Sequence, residues 1–243
     1  MDLAFYAAAA GASAQQKRMN VVSNNLANLS TAGFKREEAV FANLIYNELN
    51  PPALQGTQML ATSGSQVAKT NTDYSVGQLI PSGMPYDYVL ISDGFFALQD
   101  PATGEITYTR DGTFCLSRQP GEEDLFYLSA ANGKHVLDAY GEPITVTDGT
   151  SKERLPVGVF RFRTNNGMLH VGDNEYSPTE KNGQAIAAAN SEALALQGYI
   201  ENSNVNLADE MANMIEAQRA YQYALKMIQT SDEIESTING LRA

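Results

Sequence analysis

A chain of 243 residues that is 43% hydrophobic can fill one large domain or two modest ones with a buried core, which excludes global disorder. Its formal charge of −12, with no basic stripe set against it, opposes approach to a phosphate backbone and excludes nucleic acid as a natural partner. The single cysteine, Cys115, rules out an internal disulfide and any multi-cysteine metal site; a lone free thiol is expected to pack as a small, buried or half-buried hydrophobe.

The first element expected is a helix from Leu3 to Leu29. Leu3, Ala7, Ala10, Ala14 and Val21 fall on one face at spacings of three, four and seven, with Lys17 at the interrupted step. Alanine favours helix and lets a partner helix approach closely, but it buries too little area to hold a lone helix on a core. Ser30-Thr31-Ala32-Gly33 marks the end, with Gly33 able to take a left-handed turn conformation. The run Ala7 to Ala14 imitates a signal peptide, yet no Lys or Arg precedes it and the helical period continues past it, so no cleaved signal is expected. No stretch approaches the roughly 18 apolar residues of a membrane span, so no membrane insertion is expected.

Residues 36–83 are rich in Asn, Pro, Gly, Ser, Thr and Gln and read as an extended connector, with 184–203 as its returning partner. Between them, in 84–183, short alternating runs are separated by turn chemistry such as Ser92-Asp93-Gly94 and Arg110-Asp111-Gly112. Strands are expected at Tyr86 to Ile91, Phe95 to Gln99, Ile106 to Thr109, Phe114 to Leu116, Phe126 to Leu128 and Lys134 to Asp138. Ile144 to Thr147, Val157 to Phe162 and Met168 to Val171 follow. No crossover helices lie between them, which favours an antiparallel or barrel-like domain.

The chain closes on a second long helix over 207 to 239, starting at the N-cap Asn206, with Asp209 and Glu210 in the first turn and Gly240 where it should fray. Leu207, Met211, Met214, Gln218, Tyr221, Leu225 and Ile228 alternate by four and three, and Ile234, Ile238 and Leu241 continue the stripe after a phase slip. The fold class is therefore α+β: a helical region of 1–35 and 204–243, expected to form a coiled-coil layer, and a central antiparallel β-rich domain. Periodicity alone leaves an ordinary intramolecular bundle open. Cutting away 1–35 and 204–243 should leave the β-domain folded.

Catalytic chemistry finds little support. His135 and His170 have no partner at metal-ligand spacing and read as satisfied surface histidines. Asp93 and Asp111 are each followed by Gly between strands, which makes them turn residues before acid/base pairs. There is no phosphate loop, nucleophile elbow or dinucleotide fingerprint. Neither an enzyme nor a cofactor is expected.

Four motifs point elsewhere. Ser23-Asn24-Asn25-Leu26-Ala27-Asn28 with Thr31-Ala32-Gly33-Phe34-Lys35 resembles the N-terminal signature of the bacterial flagellar basal-body rod and hook proteins. Asp93-Gly94-Phe95-Phe96 with Tyr108 to Phe114 resembles that family's central β signature. Val157 to Phe160 with Gly172-Asp173-Asn174 resembles its later part, and Glu201 to Asn206 with Glu210-Met211 and Met214 to Tyr221 resembles its terminal helix. The resemblance implies terminal helices forming a coiled-coil inner tube, a β-rich outer domain against neighbours, and no catalytic residues. It implies unprocessed export through the flagellar type III apparatus into the periplasm-spanning rod. There the subunit meets its own copies and the neighbouring rod and hook subunits, in a shaft transmitting torque to the hook. The short connector departs from the hook proteins, which leaves distal- and proximal-rod types. Under it, Asn24, Asn25, Leu26, Asn28 and Val205 join the helical seams as interface residues, although Asn28 is equally well explained by turn formation. A secreted glycan-binding β-domain with helical arms is the alternative; the absence of Trp and the scatter of the 12 Tyr count against it.

Overall fold

The computed structural model describes residues 3–43, 46–48, 60–62, 64–118, 125–147, 154–188 and 191–242, of which 3, 46–48, 60–62, 192–193 and 242 are described by backbone alone. In chain order the elements are α1 (Leu3–Ala27), β1 (Glu37–Asn43), β2 (Tyr46–Glu48), β3 (Leu60–Thr62), β4 (Ser65–Thr72), β5 (Leu79–Pro81) and β6 (Tyr88–Leu90). Next come β7 (Phe96–Gln99), β8 (Ile106–Thr109), β9 (Phe114–Arg118), β10 (Phe126–Ala130), β11 (His135–Val136) and β12 (Thr145–Val146). The chain ends with β13 (Phe160–Arg161), β14 (Leu169–Gly172), β15 (Glu175–Ser177), β16 (Ile186–Ala187), α2 (Ser191–Leu194), β17 (Ala195–Gln197), β18 (Tyr199–Glu201) and α3 (Leu207–Arg242).

Two compact units result: 1–27 with 37–71 and 206–243, and 28–36 with 72–205. The expected connector therefore does not stand as a region of its own. Its first part carries the pairs β1–β4 and β2–β3 and belongs with the helices, although 44–45, 49–59 and 63 lie outside the described residues. Its later part pairs β5 with β18 and, beside it, β6 with β17, within the second unit.

In the helical unit α1 packs on α3 in the same chain. The direction is antiparallel, because Asn25 bonds Glu210 whereas Arg18, two turns earlier, bonds Asn213 and Glu216 two turns later. By length, 25 residues against 36, α1 spans about 37 Å and α3 about 54 Å. The cap behaves as its chemistry dictates, since the Ala208 amide donates to Asn206 Oδ1 at 3.0 Å. Helix α3 runs through Gly240, where an added Cβ would meet nothing within 4 Å, instead of fraying at it.

The second unit is built on an eight-stranded antiparallel sheet in the order β12-β10-β11-β7-β8-β15-β14, with β9 also paired to β10. Alternation along β7 supplies both of its faces. Phe96 and Leu98 enter one core with Leu128, Val136 and Val159; Ala97 enters the other with Phe95, Tyr108, Leu137 and Tyr176. The expected central strands appear with shifted ends: β6, β7, β11, β12 and β13 are shorter than expected, β9 and β10 run two residues further, β14 starts one residue later, and β8 keeps its bounds. Strand β15 was not anticipated; it follows the turn at Asp173 and Asn174, both with positive φ (46° and 59°). That pair of left-handed residues is the geometry of a tight hairpin.

Candidate assembly surfaces

The inward face of α3 is set by burial. Its residues of reduced exposure include Glu210, Met214, Ala217, Tyr221, Ala224, Ile228 and Ser231, which alternate by four and three. Ala217 is fully buried and Glu210 is 1% exposed. Of the expected seam, Met214, Tyr221 and Ile228 lie on this face, whereas Met211, Gln218 and Leu225 lie one column away on the exposed side, Met211 at 52% and Leu225 at 39%. On α1, Ala14 is buried, Ala7, Ala10, Val21 and Leu26 are half-buried, and the side chain of Leu3 lies outside the described residues. Ala12 and Val22, not on the expected face, are buried as well.

Asn25 closes this unit. Its Oδ1 accepts from the Glu37 amide at 2.9 Å while its Nδ2 donates to the Glu37 carbonyl at 2.8 Å and to Glu210 Oε2 at 3.1 Å. One fully buried amide thereby ties α1 to β1 and to the first turn of α3. Glu210 accordingly does more than complement the helix dipole. Asn24 is exposed, and Asn28 is half-buried and accepts from the amide and hydroxyl of Thr31.

In the second unit the segments 28–36 and 199–205 lie together around a buried charge cluster. Lys35, Glu201 and Arg110 have side chains no more than 1% exposed. Lys35 Nζ donates to Glu201 Oε1 and, at 2.6 Å, to the Ser75 carbonyl; Arg110 Nη1 lies 3.7 Å from Glu201 Oε2. Two cations thus share one carboxylate. Burial, followed by the neighbouring Arg110 charge, pulls the Lys35 pKa below its ordinary range against the pull of Glu201. Gly33 sits at φ +66° with its amide donating to the Glu201 carbonyl at 2.8 Å, and a Cβ there would meet the Arg110 carbonyl carbon at 2.5 Å. Asn204 Oδ1 accepts from the Arg36 amide at 2.7 Å, and Val205 is buried. The motif residues Gly33, Lys35, Glu201 and Asn204 therefore share one locus.

The groups weighed for catalysis take structural roles. Cys115 is exposed, contrary to the expectation for a lone thiol, because β9 turns it away from the core; its Sγ lies 3.5 Å from the Ser129 carbonyl. His135 stacks on Tyr127 at 4.4 Å and burial lowers its pKa. His170 contacts Thr72 at 3.4 Å. Among the described residues no group of His, Cys, Asp or Glu could hold a metal.

Asp111 folds its own turn, Oδ1 accepting from the Thr113 amide and hydroxyl at 2.9 and 2.8 Å, and burial raises its pKa above the ordinary 3.8. Between 3.8 and that higher value the folded chain keeps a proton the unfolded chain has lost, so this group makes stability fall as pH rises across the window. Asp111→Asn keeps the acceptor and removes that slope, leaving stability at neutral pH equal or higher. Asp111→Ala should cost about 1 kcal/mol. Urea unfolding at several pH values measures both.

Comparison with known proteins places the chain. The family model described as "Flagella basal body rod protein" matches residues 5–35, and "Flagellar basal body rod FlgEFG protein C-terminal" matches 196–241. The chain is 35% identical to the flagellar basal-body rod protein FlgG of Buchnera aphidicola subsp. Baizongia pistaciae, over 95% of this chain and 96% of that one. It is 33% identical to FlgG of Borreliella burgdorferi over 100% and 99% of the two chains. Against the flagellar basal-body rod protein FlgF of Mesorhizobium japonicum the identity is 27%, over 99% and 98%.

Proposed function

The chain belongs to the flagellar basal-body rod protein family and is a structural subunit of the rod; from that premise we propose that its copies join through the faces of α1 and α3 left open in the single chain. The observation that carries this is the exposed apolar surface of α3. Leu207, Met211 and Ile215 flank the inward face at 46–52% exposure. Beyond Ser231 every residue with a described side chain is exposed, including Ile234 at 59%, Ile238 at 47% and Leu241 at 83%. An isolated helix exposing such a stripe gains by burying it against further helices, which is the coiled-coil layer of the assembled rod. Heterologous contacts of this kind do not close and so propagate.

The protein works in the flagellar basal body, and no described helix is long and apolar enough to cross a membrane. The distal-rod type is favoured over the proximal, since the FlgG relatives reach 35% identity where the FlgF relative stands at 27%. Its partners are further copies, adjacent rod and hook subunits, and the flagellar type III export apparatus.

The test is Met211→Glu combined with Leu225→Glu. Both side chains are exposed, so the change in the monomer's stability stays within about 0.5 kcal/mol. Rods in purified basal bodies, and swimming, should be lost. Swimming at the wild-type rate would sink the proposed interface.

A further inference from the structure

On the β-rich unit an open cavity of about 400 Å³ is lined by Ser92, Asp93, Arg161, Phe162, Arg163 and Asn165. Its walls are held firmly. Phe95 and Phe160 exchange backbone bonds of 2.8 and 2.9 Å, which fixes the turn at 92–94 against the start of 161–165. The ring of Phe162 packs edge-on against Tyr108 at 4.8 Å and anchors the second wall. Arg161 Nε donates to the Asp93 carbonyl at 2.9 Å and Nη2 to Ser92 Oγ at 2.8 Å, so the guanidinium is oriented with donors left over. From beneath, Arg110 Nη1 donates to the Ser92 carbonyl at 3.0 Å. Arg163 is exposed and makes no hydrogen bond or ion pair among the described residues.

One carboxylate, that of Asp93, thus lines the cavity with two guanidinium groups, and a third lies behind, in a chain whose net charge is −12. A guanidinium fork held in place with donors unused, beside a second exposed guanidinium, fits a carboxylate better than any neutral group. Resting on the reading of the chain as a rod subunit, we propose that this cavity receives a carboxylate side chain of a second copy. Charge complementarity selects the occupant, because a neighbouring copy brings a surplus of acids. Exposed ones on the same unit include Glu105, Glu142, Glu180 and Asp173, the last at the tip of the β14–β15 hairpin.

The test uses the full chain expressed in a motile strain lacking its own copy of the gene. Wild type should restore rods and swimming; if it does not, the rod reading itself fails. Given wild-type rescue, Arg163→Glu should reduce complete rods by roughly tenfold or more through like-charge contact, while Arg163→Lys retains most of them. The purified Arg163→Glu chain should melt with the wild type, which separates lost contact from lost folding. Reversal of one acid in the same chain, by E105R, E142R, D173R or E180R, should restore swimming to Arg163→Glu. Wild-type swimming by Arg163→Glu overturns the proposal. So does a defect that none of the reversals relieves, since the occupant is then not a second copy. Stabilisation of wild type by citrate together with full motility of Arg163→Glu also overturns it, and assigns the cavity to a small anion.

Discussion

Glu201→Ala is expected to destabilise the β-rich unit by about 3–5 kcal/mol, a large share of the 5–15 kcal/mol that holds a typical domain together. The carboxylate lies between Lys35 and Arg110 and also accepts from the Gly77 amide at 2.7 Å, in a site with almost no access to water. Removing it leaves two buried cations without a counter-charge, whereas Lys35→Met leaves the Glu201–Arg110 pair balanced. Lys35→Met should therefore cost distinctly less. The variant should also show a stronger pH signature than the wild type. With Glu201 gone, only the weaker pull of Asp73 opposes the burial that already lowers the Lys35 pKa, so the folded chain sheds that proton before the unfolded one does. Stability of Glu201→Ala should then rise with pH between the lowered value and 10.5. Equal losses for Glu201→Ala and Lys35→Met in urea unfolding would show that the cluster is not organised around its single anion.

The two terminal helices were legible because their signals are local. An Asn cap, an unbroken run without Pro and a repeating apolar stripe are all readable within a few residues of one another. Which side of the stripe faces inward was not. An alternation of four and three can be drawn from Met214, Tyr221 and Ile228 through Met211, Gln218 and Leu225, or through Glu210, Ala217 and Ala224. Apolar content favours the first set. The structure uses the second, because a close helix crossing needs alanine and because Glu210 finds a buried partner in Asn25. The column left outside, with Met211 at 52% and Leu225 at 39%, is the one on which the proposed subunit contact rests.

The β-rich unit was legible where turn chemistry brackets a strand, as Asp100 to Gly104 does between β7 and β8. The strands that belong with the helices, in the stretch after Arg36, were not. Strand β4, Ser65–Thr72, is polar and largely exposed, so its pairing with β1 rests on backbone hydrogen bonds that leave no period-two apolar pattern. The buried charge cluster had a different obstacle. Lys35 and Glu201 stand 166 residues apart, and a charged residue in a single sequence reads as solvated surface. Gly33 carried a usable signal as a turn residue, but its second role, close approach to the Arg110 backbone, needed the tertiary structure.

That cluster also redraws where the β-rich unit can be cut. A fragment of 36–203, trimmed at the boundaries the helical patterns suggest, lacks Gly33, Phe34 and Lys35, all buried, together with Asn204 and Val205. It keeps Glu201 and Arg110 without Lys35, and it loses the packing of Phe34 and the bonds of Asn204 to Asp73 and Ser75. A fragment of 28–36 joined to 72–205 retains every one of these contacts. The join is short, because the Asp73 amide already donates to the Arg36 carbonyl at 2.8 Å, so a two-residue turn can replace 37–71. The joined fragment should melt cooperatively, with dispersed amide resonances. The 36–203 fragment should be destabilised by several kcal/mol, the deletion of a buried aromatic alone costing about 3–5 kcal/mol. Gly33→Val in the joined fragment should bring it down to the level of 36–203, since a branched side chain at φ +66° collides with the backbone of Arg110. If 36–203 melts as high as the joined fragment, residues 28–35 are merely attached to the unit and are no part of its core.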